Sequence, residues 1–191
     1  MATAPLMLLT PEQYVALDER SERPLEYFDG EVFEIESSNS DHGQIQFNLT
    51  VAVGKRIENS SCKGKGPATR VRVPSGRYFH PDLIVACAKQ EFLPDKSLLN
   101  PSAIFEVLSD STADFDLGRK GVLYRSIPSL QEYILIEQTR AWVQRWTRKS
   151  GSWQVDEFSG LDVVLPIATL ACEIPLRELY ADVEFEAEAE A

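Results

Sequence analysis

Apolar residues return at two different spacings along the chain, and the two spacings predict different elements. Between residues 41 and 58 they return every three or four positions, which predicts a helix with one buried face. Residues 82–88 and 103–108 are nearly continuous apolar runs, the pattern of central strands that are covered on both sides. The buried face of the helix is predicted to consist of Ile45, Leu49, Ala52, Val53 and Ile57.

Capping and turn signals organise the N-terminal part of the chain. Thr10 and Pro11 predict the start of a helix that ends near Arg20, because threonine caps a helix and proline fits its first position. The pair Asp29-Gly30 stands between two short runs with apolar residues and favours a tight two-residue hairpin turn. An N-terminal helix followed by a β-hairpin is therefore expected.

The C-terminal half alternates between helices and strands. Strands are predicted at 132–137, 141–147 and 153–158, and a helix at 113–127 precedes them because capping residues stand before it. A short helix at 175–180 completes the pattern. The order of elements predicts an α/β or α+β domain, in which helices flank a mixed sheet.

Length and composition fit a single domain. The chain has 191 residues, 43% of them hydrophobic, and no long linker divides it, so residues 1–180 are predicted to form one domain. Residues 181–191 contain five acids and no base, which predicts a disordered acidic tail. No apolar run approaches the roughly 20 residues that a membrane span needs.

The cysteines predict an oxidation state. Cys62, Cys87 and Cys172 are odd in number, far apart in the sequence, and without the paired spacing of a zinc site. We therefore expect three reduced thiols in a cytoplasmic protein.

Charge is distributed unevenly along the chain. The net charge of −11 argues against a protein that coats nucleic acid without specificity. Residues 55–77 nevertheless contain seven bases and one acid, and such a local patch can engage phosphate. A solvated loop rich in glycine and lysine at 60–67 explains the same pattern equally well. The candidate contacts with nucleic acid are Lys55, Lys63, Lys65, Arg70 and Arg72.

Two acidic residues stand where the pattern predicts central strands. Glu106 lies within the apolar run 103–108, and Asp82 stands at the head of the run 82–88. Burying an unpaired carboxylate is costly, so each needs a cation, a proton or a metal ion. If the two strands are neighbours, the carboxylates converge, and their oxygen ligands favour Mg²⁺ or Mn²⁺. The alternative is a half-exposed glutamate on an edge strand.

The predicted helix at 113–127 supplies a cation. Asp116, Lys120 and Tyr124 are spaced four residues apart, so they lie on one helical face. That face could place the Lys120 ammonium against Glu106 and a metal-bound water, where it would position the water or stabilise charge on a phosphate. The alternative is an ordinary surface ion pair between Asp116 and Lys120.

Together these residues resemble a known family, the Uma-type putative restriction endonucleases of the PD-(D/E)XK nuclease superfamily. The resemblance extends from about residue 11 to residue 180, and it implies a restriction-endonuclease-like core preceded by a helix and a β-hairpin. The matching residues are Pro81-Asp82, the stretch from Phe105 to Ser109, Asp116, Lys120, Tyr124, Asp29-Gly30-Glu31, His42, and the stretch from Ile127 to Tyr133.

The resemblance also implies roles for individual residues. Asp82 and Glu106 would bind Mg²⁺ or Mn²⁺, with the main-chain carbonyl of Val107 as a further ligand. The usual superfamily lysine stands two residues after the acid, where this chain has Leu108, so Lys120 would replace it from the following helix. The residues expected to support the site are Glu31, His42, Asp116 and Tyr124.

Three functions remain open at this level. The first is a Mg²⁺-dependent endonuclease that hydrolyses phosphodiester bonds in DNA with a metal-activated water, as a homodimer that cuts both strands. The second is a catalytically silent nucleic-acid-binding or regulatory module on the same fold, which the acidic charge and the helix-weakening Gly118 and Gly121 favour. The third is an unrelated structural protein in which Glu106 is solvated.

Overall fold

The structure is a computed structural model that describes residues 8–34, 39–109 and 113–185, and these ranges form three sheets and five α-helices. The helices are α1 (Pro11–Asp18), α2 (Ser40–Ile57), α3 (Ala113–Phe115), α4 (Gly121–Arg125) and α5 (Leu176–Leu179), with a π-helical turn (Asp116–Lys120) between α3 and α4 and a 3₁₀ turn (Ala168–Leu170) before β12. The strands are β1 (Leu25–Phe28), β2 (Glu31–Glu34), β3 (Lys63–Lys65), β4 (Val71–Arg72), β5 (Tyr78–Phe79), β6 (Leu83–Ala86), β7 (Ala103–Leu108), β8 (Glu132–Glu137), β9 (Trp142–Lys149), β10 (Ser152–Ser159), β11 (Val164–Ile167) and β12 (Cys172–Pro175).

The largest sheet has six strands in the order β10-β9-β8-β7-β6-β3. β7 and β8 run parallel and the other neighbours antiparallel, which confirms the predicted mixed sheet. β6 and β7, the two continuous apolar runs of the sequence, are adjacent, with Leu83 opposite Phe105. Both strands are buried throughout, because α2 packs on one face of the sheet and the segment from α3 to α4 packs on the other.

The helix α2 has the boundaries and the buried face that its apolar spacing predicts. Asn39 caps it, since its side-chain oxygen accepts a hydrogen bond from the N–H of His42 over 2.9 Å. The predicted apolar face packs against the six-stranded sheet. Its buried residues include Ile45, Leu49, Ala52, Val53 and Ile57.

A second sheet, here called the smaller sheet, has four strands in the order β2-β1-β5-β4. The turn between β1 and β2 is the predicted one, and Asp29 and Gly30 have φ angles of 53° and 96°, which such a hairpin turn requires. The threonine-capped α1 packs on this sheet through Tyr14, whose ring centroid lies 5.2 Å from those of both Tyr27 and Tyr78.

The structure corrects two sequence predictions, the polar loop at 60–67 and the three reduced thiols. The expected polar loop contains the edge strand β3, and Cys62 and Cys87 form a disulfide across the pair of β3 and β6. The expectation of three reduced thiols is therefore wrong, and Cys172 is the free cysteine. The two bonded cysteines are 25 residues apart in the chain but stand opposite one another, Cys62 just before β3 and Cys87 just after β6, which their spacing alone does not reveal.

Packing continues beyond the predicted end of the domain at residue 180. Val183 and Phe185 pack against the hydrophobic core that α2 covers, and the ring centroid of Phe185 lies 5.3 Å from that of Tyr180. Residues 186–191 of the predicted tail lie outside the described residues. Within the described ranges, no helix is long and apolar enough to cross a membrane.

Candidate metal centre

Two carboxylates meet where β6 begins beside the middle of β7. The main-chain N–H of Asp82 donates to Oε2 of Glu106 over 3.3 Å, and the N–H of Val107 donates to Oδ2 of Asp82 over 2.7 Å. Gln46 of α2 holds the other oxygen of Asp82, with Nε2 2.8 Å from Oδ1. The pairing of β6 with β7 thus brings together the two acids that stand on separate apolar runs of the sequence.

The ammonium of Lys120 lies beside this pair and is surrounded by three carboxylates. Its Nζ is 2.9 Å from Oε1 of Glu106, 2.8 Å from Oε1 of Glu26 and 3.1 Å from Oδ1 of Asp116. Only 6% of the Lys120 side chain is exposed, so the alternative of a surface ion pair does not apply. The hydroxyl of Tyr124 donates to the same Oε1 of Glu106 over 3.0 Å.

Burial and charge together shift the pKa values of these groups. Burial alone would lower the pKa of Lys120, but Asp116, Glu106 and Glu26 raise it well above its usual range, so the lysine stays charged. Burial raises the pKa of Glu106 well above its usual range although Lys120 opposes the shift. Burial also raises the pKa of Asp82, against the effect of His42.

The site carries more negative than positive groups. Three buried carboxylates, those of Glu106, Asp116 and Glu26, share the single ammonium of Lys120, and the half-buried carboxylate of Asp82 lies beside Glu106. Ionising all four without a further cation would be costly in a buried environment. The raised pKa values of Asp82 and Glu106 express this cost. The cluster is therefore suited to a divalent cation, which would let these carboxylates ionise.

The available oxygen ligands suit Mg²⁺, which keeps several water ligands, better than a metal ion that is bound by protein groups alone. Among the residues described, no three histidine, cysteine, aspartate or glutamate side chains converge closely enough to hold a metal ion by themselves. Mg²⁺ is usually bound by one or two carboxylates and keeps several waters. The N–H of Val107 points at Asp82, and the C=O of a strand residue points to the same side as its N–H. Asp82, Glu106 and the Val107 carbonyl are therefore the groups that could hold Mg²⁺ here.

The π-helical turn that presents Lys120 depends on Gly121. The N–H of Gly121 donates to the carbonyl of Asp116, five residues earlier, and the hydroxyl of Tyr133 donates to the same carbonyl over 3.1 Å. A Cβ at position 121 would lie 2.8 Å from that oxygen and 3.1 Å from the Tyr133 ring. Position 121 thus lets the turn pack closely against β8, whereas Gly118 has no heavy atom within 4 Å of its Cβ position.

We expect Gly121→Ala to lower the free energy of unfolding by about 1–3 kcal/mol, because the added methyl group must displace the Asp116 carbonyl or the Tyr133 ring. Gly118→Ala is the matched control, and it should leave stability unchanged or raise it by up to about 1 kcal/mol. Urea unfolding followed by circular dichroism measures both. Equal effects of the two substitutions would contradict the close packing at position 121.

Of the other residues expected at the site, the structure places His42 there but not Glu31. Nε2 of His42 lies 3.7 Å from Oδ2 of Asp82, and its buried Nδ1 has no hydrogen-bond partner among the described residues. Glu31 is exposed on β2, opposite Phe28, and no contact within the described ranges joins it to the carboxylates. The acid that the hairpin contributes is Glu26 of β1.

Glu26 and Gln46 belong to the site although the sequence analysis did not single them out. Glu26 stands between Leu25 and Tyr27 in a short apolar run, as Glu106 does in its own run, and that sequence signal could have found it. Gln46 has no comparable signal, because a polar residue on an amphipathic helix is ordinary.

Two of the five basic residues predicted to contact nucleic acid are engaged inside the protein. Arg70 is buried, with Nη1 2.6 Å from Oδ2 of Asp18. The guanidinium of Arg72 is half-buried over the ring of Tyr78, 5.8 Å from its centroid. These two arginines therefore connect parts of the smaller sheet and its helix.

Two of the remaining three basic residues lie at a groove between α2 and β3. Lys63 and Lys65 line this groove, which has a volume of about 370 Å³. Lys63 is exposed and Lys65 half-buried, and Lys55 is exposed near the C-terminal end of α2. The groove also includes Leu83, the residue that follows Asp82 in the chain, whereas Asp82 and Glu106 are not among its lining residues.

Known proteins resemble this chain over most of its length. Two uncharacterized proteins from Synechocystis sp. (strain ATCC 27184 / PCC 6803 / Kazusa) are similar in sequence. The protein sll1609 is 31% identical over 164 residues, which cover 84% of this chain and 93% of the relative. The protein slr1290 is 26% identical over 162 residues, which cover 84% of this chain and 85% of the relative.

A solved structure and a family model complete the comparison. The crystal structure of a putative nuclease belonging to DUF820 from Anabaena variabilis ATCC 29413 matches with a TM-score of 0.74 at 15% identity, over 91% of this chain and 98% of that chain. This similarity confirms the predicted restriction-endonuclease-like α/β fold. The family model described as "Putative restriction endonuclease", Uma2, matches residues 11–177. The chain therefore belongs to the Uma2 family.

Proposed function

We propose that this protein is an endonuclease that hydrolyses phosphodiester bonds in DNA, with Mg²⁺ or Mn²⁺ bound by Asp82, Glu106 and the Val107 carbonyl. The observation that most supports this is the buried ammonium of Lys120, 2.9 Å from Glu106 in a cluster with excess carboxylates. A fixed cation beside a metal-binding carboxylate pair can stabilise the charge that develops on a phosphate. Membership of the Uma2 family supports a nuclease-like function.

The protein groups would fix the reacting geometry before DNA binds. Gln46 and the N–H of Val107 hold both oxygens of Asp82, and Tyr124 and Lys120 hold one oxygen of Glu106. The metal ion would act as a Lewis acid toward the phosphate and would make its bound water a better nucleophile. Lys120 would orient that water and stabilise negative charge in the transition state.

Substrate binding, assembly and location complete this proposal. Lys55, Lys63 and Lys65 would follow the DNA backbone, since a local basic surface binds phosphate even on an acidic protein. Arg70 and Arg72 are left out because they are engaged inside the smaller sheet. A homodimer would let two sites cut both strands, and the reaction would take place in the cytoplasm.

A catalytically silent nucleic-acid-binding or regulatory module is the second candidate. One observation favours it, since every carboxylate oxygen of Asp82 and Glu106 already accepts a hydrogen bond from the protein. Lys120 is likewise shared among three carboxylates, so it would have to release at least one of them to reach a substrate.

Calorimetric titration of Mn²⁺ into the purified protein separates these candidates at the metal site. Wild-type protein should bind Mn²⁺, and Asp82→Asn and Glu106→Gln should each weaken binding by at least about tenfold, because each removes one anionic ligand. Glu91→Gln, which changes an exposed glutamate, should bind as wild type does. No binding at millimolar Mn²⁺ by folded wild-type protein would contradict the endonuclease proposal and favour the silent module.

A further inference from the structure

The disulfide of Cys62 and Cys87 closes one end of the outermost strand pair of the six-stranded sheet. Lys63 stands opposite Ala86 in the antiparallel register, so the residue before β3 is bonded to the residue after β6. The other end of β6 begins directly after Asp82. The disulfide and the candidate metal centre therefore lie at opposite ends of the same four-residue strand.

Among the described residues, β3 is otherwise held by its pairing with β6 and by packing against α2. It is three residues long, lies at the edge of the sheet, and pairs with β6 alone among the described strands. Beyond this pairing, the hydroxyl of Ser61 donates to the carbonyl of Cys87 over 3.3 Å, at an exposed position. Edge strands this short gain little stability from their own hydrogen bonds. The covalent bond is thus the strongest constraint on where β3 lies.

The groove has β3 as one wall and α2 as the other. Lys63 and Lys65 of β3 and Cys62 just before it line one side, while Val53 and Ile57 line the other from α2. The groove also includes Leu83, the residue after Asp82 in the chain. The strand that the disulfide holds is therefore the strand that presents Lys63 and Lys65 along the groove. A change in the position of β3 changes where both lysines can meet a phosphate backbone.

We propose that Cys62 and Cys87 form a thiol–disulfide exchange site, at which reduction by a dithiol loosens β3 and weakens DNA binding. This inference rests on the proposed function, since it assigns Lys63 and Lys65 to the DNA backbone. In the cytoplasm, the compartment of the proposed function, disulfides of ordinary proteins are usually transient and catalytic or redox-sensing, so a reversible bond is expected there. A disulfide that only stabilises the fold is the competing explanation, and it predicts no change in DNA affinity at constant fold.

The exchange proceeds by two balanced steps. A thiolate of the dithiol reaches Cys62 through the groove and attacks its Sγ, which breaks the S–S bond and releases Cys87 as a thiolate that takes up a proton. The second thiolate of the dithiol attacks the mixed disulfide and releases Cys62, which is protonated in turn. Two electrons and two protons have then passed to the protein, and the dithiol has become a disulfide.

The test measures binding of the full chain to a fluorescently labelled 20-base-pair DNA by anisotropy, with Ca²⁺ in place of Mg²⁺ so that cleavage is suppressed. Oxidised wild-type protein should bind, and dithiothreitol should raise the dissociation constant by about tenfold and flatten its salt dependence, because two lysine contacts are lost. The double variant Cys62→Ser/Cys87→Ser should bind weakly in both states. Cys172→Ser keeps the disulfide and should respond as wild type does.

Two further measurements keep the result interpretable. Oxidised Lys63→Ala/Lys65→Ala, which does not depend on refolding without the disulfide, should bind as weakly as the reduced protein. Thiol counting should find one thiol in oxidised and three in reduced wild-type protein, and amide exchange at 63–65 should accelerate on reduction. Equal DNA affinity of oxidised, reduced and serine-substituted proteins overturns the exchange site and leaves the nuclease proposal standing. No DNA binding in any state overturns the nuclease proposal, and the exchange site with it.

Discussion

Replacing Lys120 with methionine is expected to lower the free energy of unfolding by about 3–5 kcal/mol, because Glu106, Asp116 and Glu26 would be left buried without their cation. Methionine keeps a long unbranched side chain, so the change removes the charge with little loss of packing. Lys89→Met, at an exposed position, is the control and should change stability by less than about 0.5 kcal/mol. Urea unfolding at pH 8 measures both variants.

The pH dependence of this loss has a defined sign. Burial raises the pKa of Glu106 in the folded state, so folding favours its protonated form, and the stability that this contributes is lost as pH rises through the raised pKa. Without the lysine this effect grows, so Lys120→Met should be less destabilised at pH 5 than at pH 8. Adding Glu106→Gln to Lys120→Met should recover part of the loss. A variant as stable as Lys89→Met at pH 8 would mean that the surrounding carboxylates are already neutral.

Replacing Glu106 with glutamine is expected to reduce DNA cleavage by about 10³-fold or more, because the substitution removes a metal ligand and the partner of Lys120. Stability should be kept or raised, since one of the three buried carboxylates around a single ammonium is neutralised. Mn²⁺-dependent nicking of a supercoiled plasmid measures the activity, and urea unfolding measures the stability.

The controls for this substitution separate a catalytic role from a structural one. Glu91→Gln changes an exposed glutamate and should cleave as wild type does. DNA affinity of Glu106→Gln, measured in Ca²⁺, should stay within about threefold of wild type, because the lysines beside the groove are unchanged. Full cleavage by Glu106→Gln would remove this residue from the metal site. Absence of cleavage in wild type, with equal DNA binding by both, would favour the silent module.

The sequence predicted the larger sheet and its carboxylate pair because both leave strong local patterns. The continuous apolar runs of β6 and β7 are typical of central strands, and an acid at the head of one and inside the other needs compensation if it is buried. The spacing of Asp116, Lys120 and Tyr124 placed them on one helical face, and the structure has them around Glu106. Residue spacing therefore predicts which side chains share one face, provided that the helix or strand is long enough to show the pattern.

The rest of the site depends on packing between elements that are distant in the chain. Glu26 reaches Lys120 only because the smaller sheet packs against the segment from α3 to α4, and no local spacing specifies that contact. β5, with two residues, is too short to show a period. The π-helical turn depends on how closely Gly121 approaches Tyr133, which only the folded chain determines.

The lysine at the centre of the site has a consequence for how the protein responds to partial unfolding. Lys120 joins Glu26 of the smaller sheet, Glu106 of the larger sheet and Asp116 of the π-helical turn. Sub-global openings cost less free energy than complete unfolding, and any opening that swings the smaller sheet away takes Glu26 from the lysine. Lys120 is then left with Glu106 and Asp116, so the charge balance of the site changes while the six-stranded sheet is still folded.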